Sequence, residues 1–131
     1  IYFQGFAEAT FPGIDFKLGS ATELPFESDS FDLILHGACI MHLADYEQAI
    51  GEAARVASQY VIFHRTPIFT DLTPTEAWVK TAYGVPCVEF HFNEIELLGL
   101  FSHHNLGIVT STDVFKTENF AHRSYLLKKV A

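Results

Sequence analysis

Two runs of nearly continuous apolar residues constrain the fold of this chain most strongly. The first, SFDLILHG, ends at Gly37, and the second, YVIFHR, begins at Tyr60. Strands with one solvated face alternate apolar and polar residues, whereas continuous apolar runs are typical of strands buried on both faces of a parallel sheet. The two runs therefore predict parallel strands in an α/β fold.

The segment between the two runs predicts the helix that a parallel connection requires. Asp45 is a good N-cap residue, and Gln48 follows three residues later in a capping-box pattern. Five apolar residues then fall on one helical stripe: Tyr46, Ile50, Ala53, Ala54 and Ala57. Upstream, the alternation in residues 14–19 predicts a further strand that ends at Gly19.

The second half of the chain predicts two more helices and a hairpin. One helix would begin at the N-cap Thr73 and end at Gly84. The next would be capped by Asn93 with Glu96 at the third position, and Gly107 would stop it in the left-handed conformation. Its inward stripe would hold Ile95, Leu98 and Phe101 or Ser102. IVTSTDVF and RSYLLKKV, joined by a turn at residues 117–119, predict an antiparallel hairpin.

Composition excludes several classes of protein. The 131 residues suit one domain, and a net charge of −8 without a basic cluster disfavours binding to a phosphate backbone. No apolar run approaches the roughly 20 residues that a membrane span needs. Two cysteines do not make a disulfide framework, so we expect a reducing cytoplasm.

The first residues differ in character from the rest. YFQG, Tyr2 to Gly5, resembles the end of a protease-cleavable expression tag. We therefore interpret residues 1–5 as a tag remnant and residues 6–131 as the domain.

The stretch GSATELPFESDSFDLILHGACIMHLADYEQAIGEAARV resembles the central segment of class I S-adenosylmethionine-dependent methyltransferases, of the methyltransferase type 11 kind. That family has a strand ending in Gly-Asp-Ala or a variant, an LPF loop, and Ser-Phe-Asp opening its fourth strand. A His-Leu and an acidic helix then lead to the fifth strand. The matching residues are Gly19, Ser20, Ala21, Leu24, Pro25, Phe26, Ser30, Phe31, Asp32, His42, Leu43 and Glu52.

The resemblance implies a partial Rossmann-like methyltransferase sheet, strands three to seven of the family's seven, with an antiparallel C-terminal hairpin. The family's Gly-x-Gly turn, which approaches the methionine part of the cofactor, does not occur in this sequence. In the family's strand order, 3-2-1-4-5-7-6, the strand at residues 32–36 would then be an open apolar edge. We therefore expect a homo-oligomer, formed through this edge or by strand swapping.

The resemblance also implies the cofactor, S-adenosylmethionine, and four residues that would bind it. Ser20 and Ala21 would lie near the adenine, where family members often carry an Asp in place of Ser20. His36 and Gly37 follow the fourth strand, where backbone meets the methionine or ribose portion of the cofactor. Without the resemblance, Ser20 and Gly37 would read as ordinary strand-end residues.

Three further residues are candidates for binding a small-molecule methyl acceptor. His64 and Arg65 end the fifth strand at the carboxyl edge of the sheet, and Tyr83 could join them. Arginine would suit a carboxylate or phosphate on the acceptor. The alternative is a salt bridge from Arg65 to Asp71 or Glu76.

Other functions stay open at this point. His36, Cys39 and His42 could form a metal site of a hydrolase, but a third ligand and a supporting shell are not evident, and we name no metal ligand. A non-catalytic α/β assembly or binding module would account for the missing glycine turn. The leading hypothesis is a methyltransferase fragment, inactive as the isolated chain, and no residue is marked as a catalytic base.

Overall fold

The computed structural model describes residues 2–82 and 84–130, and it shows a mixed α/β architecture. The elements follow in the order α1 (Tyr2–Thr10), β1 (Phe31–Gly37), a 3-10 turn (Ile40–His42), α2 (Tyr46–Val56), β2 (Ala57–Phe69), β3 (Glu76–Ala82), β4 (Val85–Asn93), α3 (Glu94–His103), β5 (Leu106–Lys116) and β6 (Phe120–Lys129).

The two apolar runs form neighbouring parallel strands, as the sequence predicts. β1 pairs with β2 so that Leu33 lies opposite Tyr60 and Gly37 lies opposite His64. β1 therefore ends level with His64, while β2 continues beyond it to Phe69. Helix α2 makes the crossover between them, which confirms the βαβ unit.

The last two strands form the predicted antiparallel hairpin. β6 inserts between β2 and β5 and pairs antiparallel with both, and residues 117–119 make the turn. The order β1-β2-β6-β5 corresponds to the 4-5-7-6 half of the family's sheet. β3 and β4 extend this open sheet, because β4 pairs parallel with the end of β2 at Ile68 and Phe69.

The core lies between one face of this sheet and the helices α2 and α3. It consists of alternate residues of the strands and the inner stripes of the helices: Ile50, Ala53, Ala54, Val61, Phe63, Ile68, Phe92, Leu97, Phe101, Ala121, Tyr125 and Leu127 are among its buried members. The α2 stripe was predicted correctly at Ile50, Ala53 and Ala54, whereas Ala57 is buried as the first residue of β2. The capping box was not predicted correctly: Asp45 makes no side-chain cap, and the Gln48 amide donates to the Thr22 carbonyl at 2.8 Å.

The predicted strand at residues 14–19 does not form. The segment is irregular, and its only bridge joins Ser20 to Glu23. A strand needs a hydrogen-bonded neighbour, and the family's second strand, which lies next to the third, has no counterpart among the described residues. Of the family strands three to seven expected from the sequence, the third is therefore absent here.

The helix predicted between Thr73 and Gly84 is also wrong. Residues 76–82 form β3, which pairs with β4 in an antiparallel hairpin. Gly84 lies in the connection with a φ of 79°, so it supplies a turn rather than a helix end. Tertiary pairing overrides the helix-forming composition of TEAWVK.

Helix α3 begins as predicted and ends differently. The Asn93 side chain accepts a hydrogen bond from the Glu96 N–H at 3.1 Å, which confirms the cap. The left-handed residue after the helix is Asn105, with a φ of 57°, and not Gly107. The inner face carries Leu97 and Phe101, whereas the predicted Ile95 is 67% exposed.

The free edge of β1 is apolar, as the sequence predicts. Within the described residues β1 pairs only with β2, and Leu33 and Leu35 are 49% and 64% exposed. Helix α1 also leaves Phe3 and Phe6 largely exposed. Across residues 2–82 and 84–130, every helix is too short or too polar to cross a bilayer.

Candidate functional site

Four of the predicted site residues lie close together where β1 ends beside β2. Gly37 lies opposite His64, and the Ala38 N–H donates to the His64 carbonyl at 3.1 Å. His36 and Arg65 flank this pair in the sequence. β1 ends at the edge where open α/β sheets bind ligands.

His36 is the buried member of this group. Its Nδ1 lies 2.9 Å from the Sγ of Cys39, and its ring packs against Phe63 at a centroid distance of 5.1 Å. Burial lowers the pKa of His36 and raises the pKa of the Cys39 thiol. Near neutral pH, both groups are therefore uncharged.

Gly37 leaves open space at the strand end. A Cβ built on Gly37 would meet no atom within 4 Å. Ala38, the next residue, has a φ of 55°, a conformation that residues with a side chain adopt at a cost. The chain thus turns sharply away at the end of β1 and leaves the Gly37 backbone accessible, which suits close approach by a ligand.

A groove of about 300 Å³ runs along the open edge of β1. Its lining includes Leu24 and Phe26 from the LPF loop, Leu33 and Leu35 from the strand, and His36 at the carboxyl end. The two leucines form the part that another strand would pair with. The carboxyl end belongs to the ligand-binding edge of the sheet.

The LPF loop is held in place by the side chains of α2. Glu52 accepts a hydrogen bond from the Leu24 N–H at 2.8 Å. Arg55 donates to the Phe26 carbonyl at 2.8 Å, to the Leu24 carbonyl at 3.2 Å and to Glu52. This clamp fixes one wall of the groove, and Glu52 is one of the residues that match the family register.

Ser20 and Ala21 lie at the start of the same loop, outside the groove lining. Ser20 is exposed, and its Oγ lies 2.8 Å from the Oγ1 of Thr22. The structure therefore brings His36 and Gly37 together at the strand end, while Ser20 and Ala21 are connected to them through the clamped loop.

The structure describes two of the three candidates for binding the methyl acceptor. The prediction that His64 and Arg65 end their strand is wrong, because β2 continues to Phe69 through its pairing with β6. Both residues are exposed, and Ser124 of β6 contacts both of them. Tyr83 lies outside the described residues. No sequence pattern marked Ser124 as a site residue, because a serine inside a strand is not distinctive.

His36, Cys39 and His42 do not come together as a metal site. His36 contacts Cys39, but the Nδ1 of His42 lies 2.9 Å from the Val88 carbonyl on β4. Across the part of the chain that the structure describes, no three metal-ligating side chains cluster.

The strand order, the parallel βαβ unit and the clamped loop define an open Rossmann-like sheet of the methyltransferase type. A family model described as a methyltransferase domain matches residues 4–63. That match begins inside the segment interpreted as a tag remnant, so this interpretation stays a prediction.

Two curated plant proteins match part of the chain. Ajmaline N-methyltransferase from Rauvolfia serpentina is 38% identical over 68 residues, which make up 51% of this chain and 23% of the relative. Norajmaline N-methyltransferase from the same plant is 42% identical over 45 residues, 34% of this chain and 15% of the relative. The matched part of the chain thus spans less than a quarter of either relative.

Solved structures match nearly the whole chain. The 1,6-didemethyltoxoflavin-N1-methyltransferase of Burkholderia thailandensis superposes with a TM-score of 0.70 at 16% identity, over 98% of this chain and 56% of that one. A methyltransferase from Methanosarcina mazei gives 0.68 at 17% identity, over 97% and 77%. The [4+2]-cyclase SpnF gives 0.69 at 12% identity, over 95% and 60%.

At these identities the structural likeness shows the fold. The family model and the two plant relatives show that part of the chain, residues 4–63 in the case of the family model, is similar to methyltransferases.

Proposed function

We propose that this chain supplies one side of an S-adenosylmethionine site in an enzyme that methylates a small molecule. The observation that carries the proposal is the convergence of His36, Gly37 and His64 where β1 ends beside β2, next to the clamped LPF loop. The names of the two plant relatives, both N-methyltransferases, support a small-molecule acceptor with a nitrogen nucleophile.

The residues at this edge suit the cofactor chemically. The open backbone at Gly37 admits close approach, and the uncharged His36 adds no positive charge beside a sulfonium. Ser20 and Ala21 would lie near the adenine of the cofactor, where the Ser20 hydroxyl can accept a hydrogen bond. The cofactor supplies the methyl group when bound.

Methyl transfer from a sulfonium is an in-line displacement, so the protein mainly positions the two reactants. His64 and Arg65 lie beside the rim formed by Gly37 and are the acceptor-side residues of the proposal, with Tyr83 as a third candidate. A general base is needed only when the nucleophile carries a proton, and we assign none.

We further propose that the isolated chain binds the cofactor weakly and does not turn over, because its sequence contains no Gly-x-Gly turn. Titration with S-adenosylhomocysteine, followed by backbone NMR, should shift the signals of Gly37 and Ala38 with an affinity weaker than micromolar. Gly37→Leu should abolish these shifts. Gly99→Leu is the matched control, because a Cβ at Gly99 also meets open space but on an exposed helix face.

Absence of any shift at this edge would refute the cofactor site, and micromolar affinity would refute the weak binding. Sequencing the parent gene upstream of Phe6 tests the whole protein. A Gly-x-Gly strand within about 80 residues would support the enzyme.

A second candidate is a non-catalytic α/β assembly or binding module, favoured by the missing glycine turn. The same titration discriminates it from the enzyme, because such a module has no reason to bind S-adenosylhomocysteine at Gly37. The metal-dependent hydrolase gains no support from the described residues, where His42 points to β4 and not to His36.

The exposed edge of β1 supports a proposal about assembly. We propose that two copies associate through this edge, or exchange residues 14–19, because an apolar edge strand is a template for pairing. Sedimentation should show a dimer that Leu35→Lys converts to monomer, whereas Ile95→Lys, at an equally exposed leucine-sized side chain on α3, should leave it intact. A monomeric parent chain would contradict the proposal. Both cysteines are free, which supports a cytoplasmic location.

A further inference from the structure

Strand β2 carries a bulge beside the carboxyl end of β1. Its pairing with β6 slips between Phe63 and Thr66, and Arg65 in the slip has a φ of 54°. A left-handed conformation is unfavourable for a residue with a side chain. Bulges next to functional sites commonly redirect a side chain, so this strain calls for an explanation.

Ser124 of β6 supports the bulge from the neighbouring strand. Its Oγ accepts the Arg65 N–H at 3.2 Å and lies 2.9 Å from the Nδ1 of His64. If the hydroxyl donates its own hydrogen to Nδ1, the Nε2 of His64 keeps its proton and becomes a donor. The Ser124 side chain thus contacts both residues at the bulge, His64 and Arg65.

The Arg65 guanidinium is a cation without a partner carboxylate. Ion pairs occupy six of the eight lysine and arginine residues, and of the described residues only Arg65 and Lys128 lack one. The predicted alternative, a bridge from Arg65 to Asp71 or Glu76, does not form. Instead the Asp71 carboxylate accepts the Thr73 N–H at 2.9 Å.

The surroundings of Arg65 leave it as the local positive charge. His122 on β6 has its pKa lowered, first by burial and then by the charge of Arg65, so this imidazole is neutral near pH 7. Ser124 also lines a cavity of about 190 Å³ together with Thr110, Ser111 and Thr112. The surface of this cavity is almost entirely apolar, and Arg65 is not among its lining residues. Arg65 is exposed, and its backbone N–H is hydrogen-bonded to Ser124, which does line the cavity.

We propose that Arg65, assisted by His64, binds a carboxylate on the methyl acceptor. The guanidinium fork matches the two oxygens of a carboxylate, and the bulge presents it one residue beyond the register partner of Gly37. The inference rests on the proposed methyltransferase function and narrows its substrate to acids, such as amino acids or aromatic acids.

NMR titration of the full chain with benzoate tests this assignment, with benzamide as the neutral isostere. Benzoate should shift the Arg65 Nε and Ser124 amide signals in a saturable way, and benzamide should not. Arg65→Gln should weaken benzoate binding at least about tenfold, and Arg65→Lys should weaken it less. Lys128→Gln, which removes the other unpaired cation, should have no effect. Inorganic phosphate in place of benzoate should bind more weakly, because a planar carboxylate fits the fork.

Equal binding of benzamide, or unchanged benzoate binding in Arg65→Gln, would overturn the proposal. Tighter binding of phosphate than of benzoate would overturn the choice of carboxylate. If Arg65→Gln fails to fold, Arg65→Asn replaces it, because asparagine tolerates the left-handed conformation better.

Titration of S-adenosylhomocysteine into the same samples distinguishes failure of the carboxylate receptor from failure of the proposed methyltransferase function. Loss of benzoate binding with intact shifts at Gly37 refutes only the carboxylate receptor. Benzoate binding without any response to S-adenosylhomocysteine refutes the methyltransferase function, and the anion site must then serve another purpose.

Discussion

Asn93 offers the sharpest test of how the fold is held together near the site. Its side-chain oxygen caps α3 by accepting the Glu96 N–H at 3.1 Å, while its amide donates to the Thr73 carbonyl at 2.8 Å and the Asp71 carbonyl at 3.4 Å. It is only 6% exposed. One side chain therefore joins the helix to the loop that leads into the β3–β4 hairpin.

The magnitude follows from these bonds. Removing a helix cap costs about 1 kcal/mol, and losing the hydrogen bond to the half-buried Thr73 carbonyl costs about 0.5–1.5 kcal/mol. Asn93→Ala loses both and should lower the free energy of unfolding by about 1.5–2.5 kcal/mol. Asn93→Asp keeps the cap acceptor and loses the donor, so it should cost about 0.5–1.5 kcal/mol.

Urea unfolding followed by far-ultraviolet circular dichroism measures these differences directly. Asn119→Ala, at an exposed turn, is the control and should stay within about 0.5 kcal/mol of the parent chain. An Asn93→Ala variant within 1 kcal/mol of the parent (about the value of a cap alone), or an Asp variant as unstable as the Ala variant, would refute the double role of this side chain.

Three other outcomes are expected. Arg123 holds the pKa of the Asp113 carboxyl below its ordinary value. The pair therefore stabilises the fold above about pH 4, and this stability is lost as the pH falls through the folded pKa. Asp113→Asn should make the free energy of unfolding depend less on pH in this acidic range. Burial lowers the pKa of His36, so the unfolded chain takes up this proton first; stability should fall below about pH 6.5, less so in His36→Phe. Gly84→Ala should destabilise the β3–β4 hairpin by about 1–2 kcal/mol in calorimetry, because its φ is 79°, and Gly84→Asn should cost less.

The parts of the fold that the sequence predicts are those encoded in local patterns. The apolar runs at β1 and β2, the stripe of α2, the Asn93 cap and the C-terminal hairpin all depend on residues close together in the chain. The strand expected at residues 14–19 depends instead on a pairing partner, and without one the alternation of apolar residues does not decide the backbone. The β3 segment shows the opposite case, where pairing with β4 imposes a strand on good helix formers.

In the candidate site, too, local patterns predicted some residues, and only the tertiary pairing reveals the others. The two apolar runs predict neighbouring parallel strands, and this pairing is enough to place His36, Gly37, His64 and Arg65 close together. The apolar runs alone did not show that β2 continues to Phe69. Ser124 could not be placed with them, because it is 59 residues from Arg65 in the chain and reaches it only through the β2–β6 pairing. A local pattern also could not show that His36 would contact Cys39 while the neighbouring His42 turns to β4.

The position of β6 has a consequence for synthesis on the ribosome. The strand that lies between β2 and β5 is the last of them in the sequence, so β2 and β5 have no common neighbour until residues 120–129 have left the exit tunnel. A truncation before Phe120 would remove the middle of the sheet and not its margin. The nascent chain must therefore keep the long apolar β2 from aggregating until the final strand arrives, which makes late insertion the step where folding and misassembly compete.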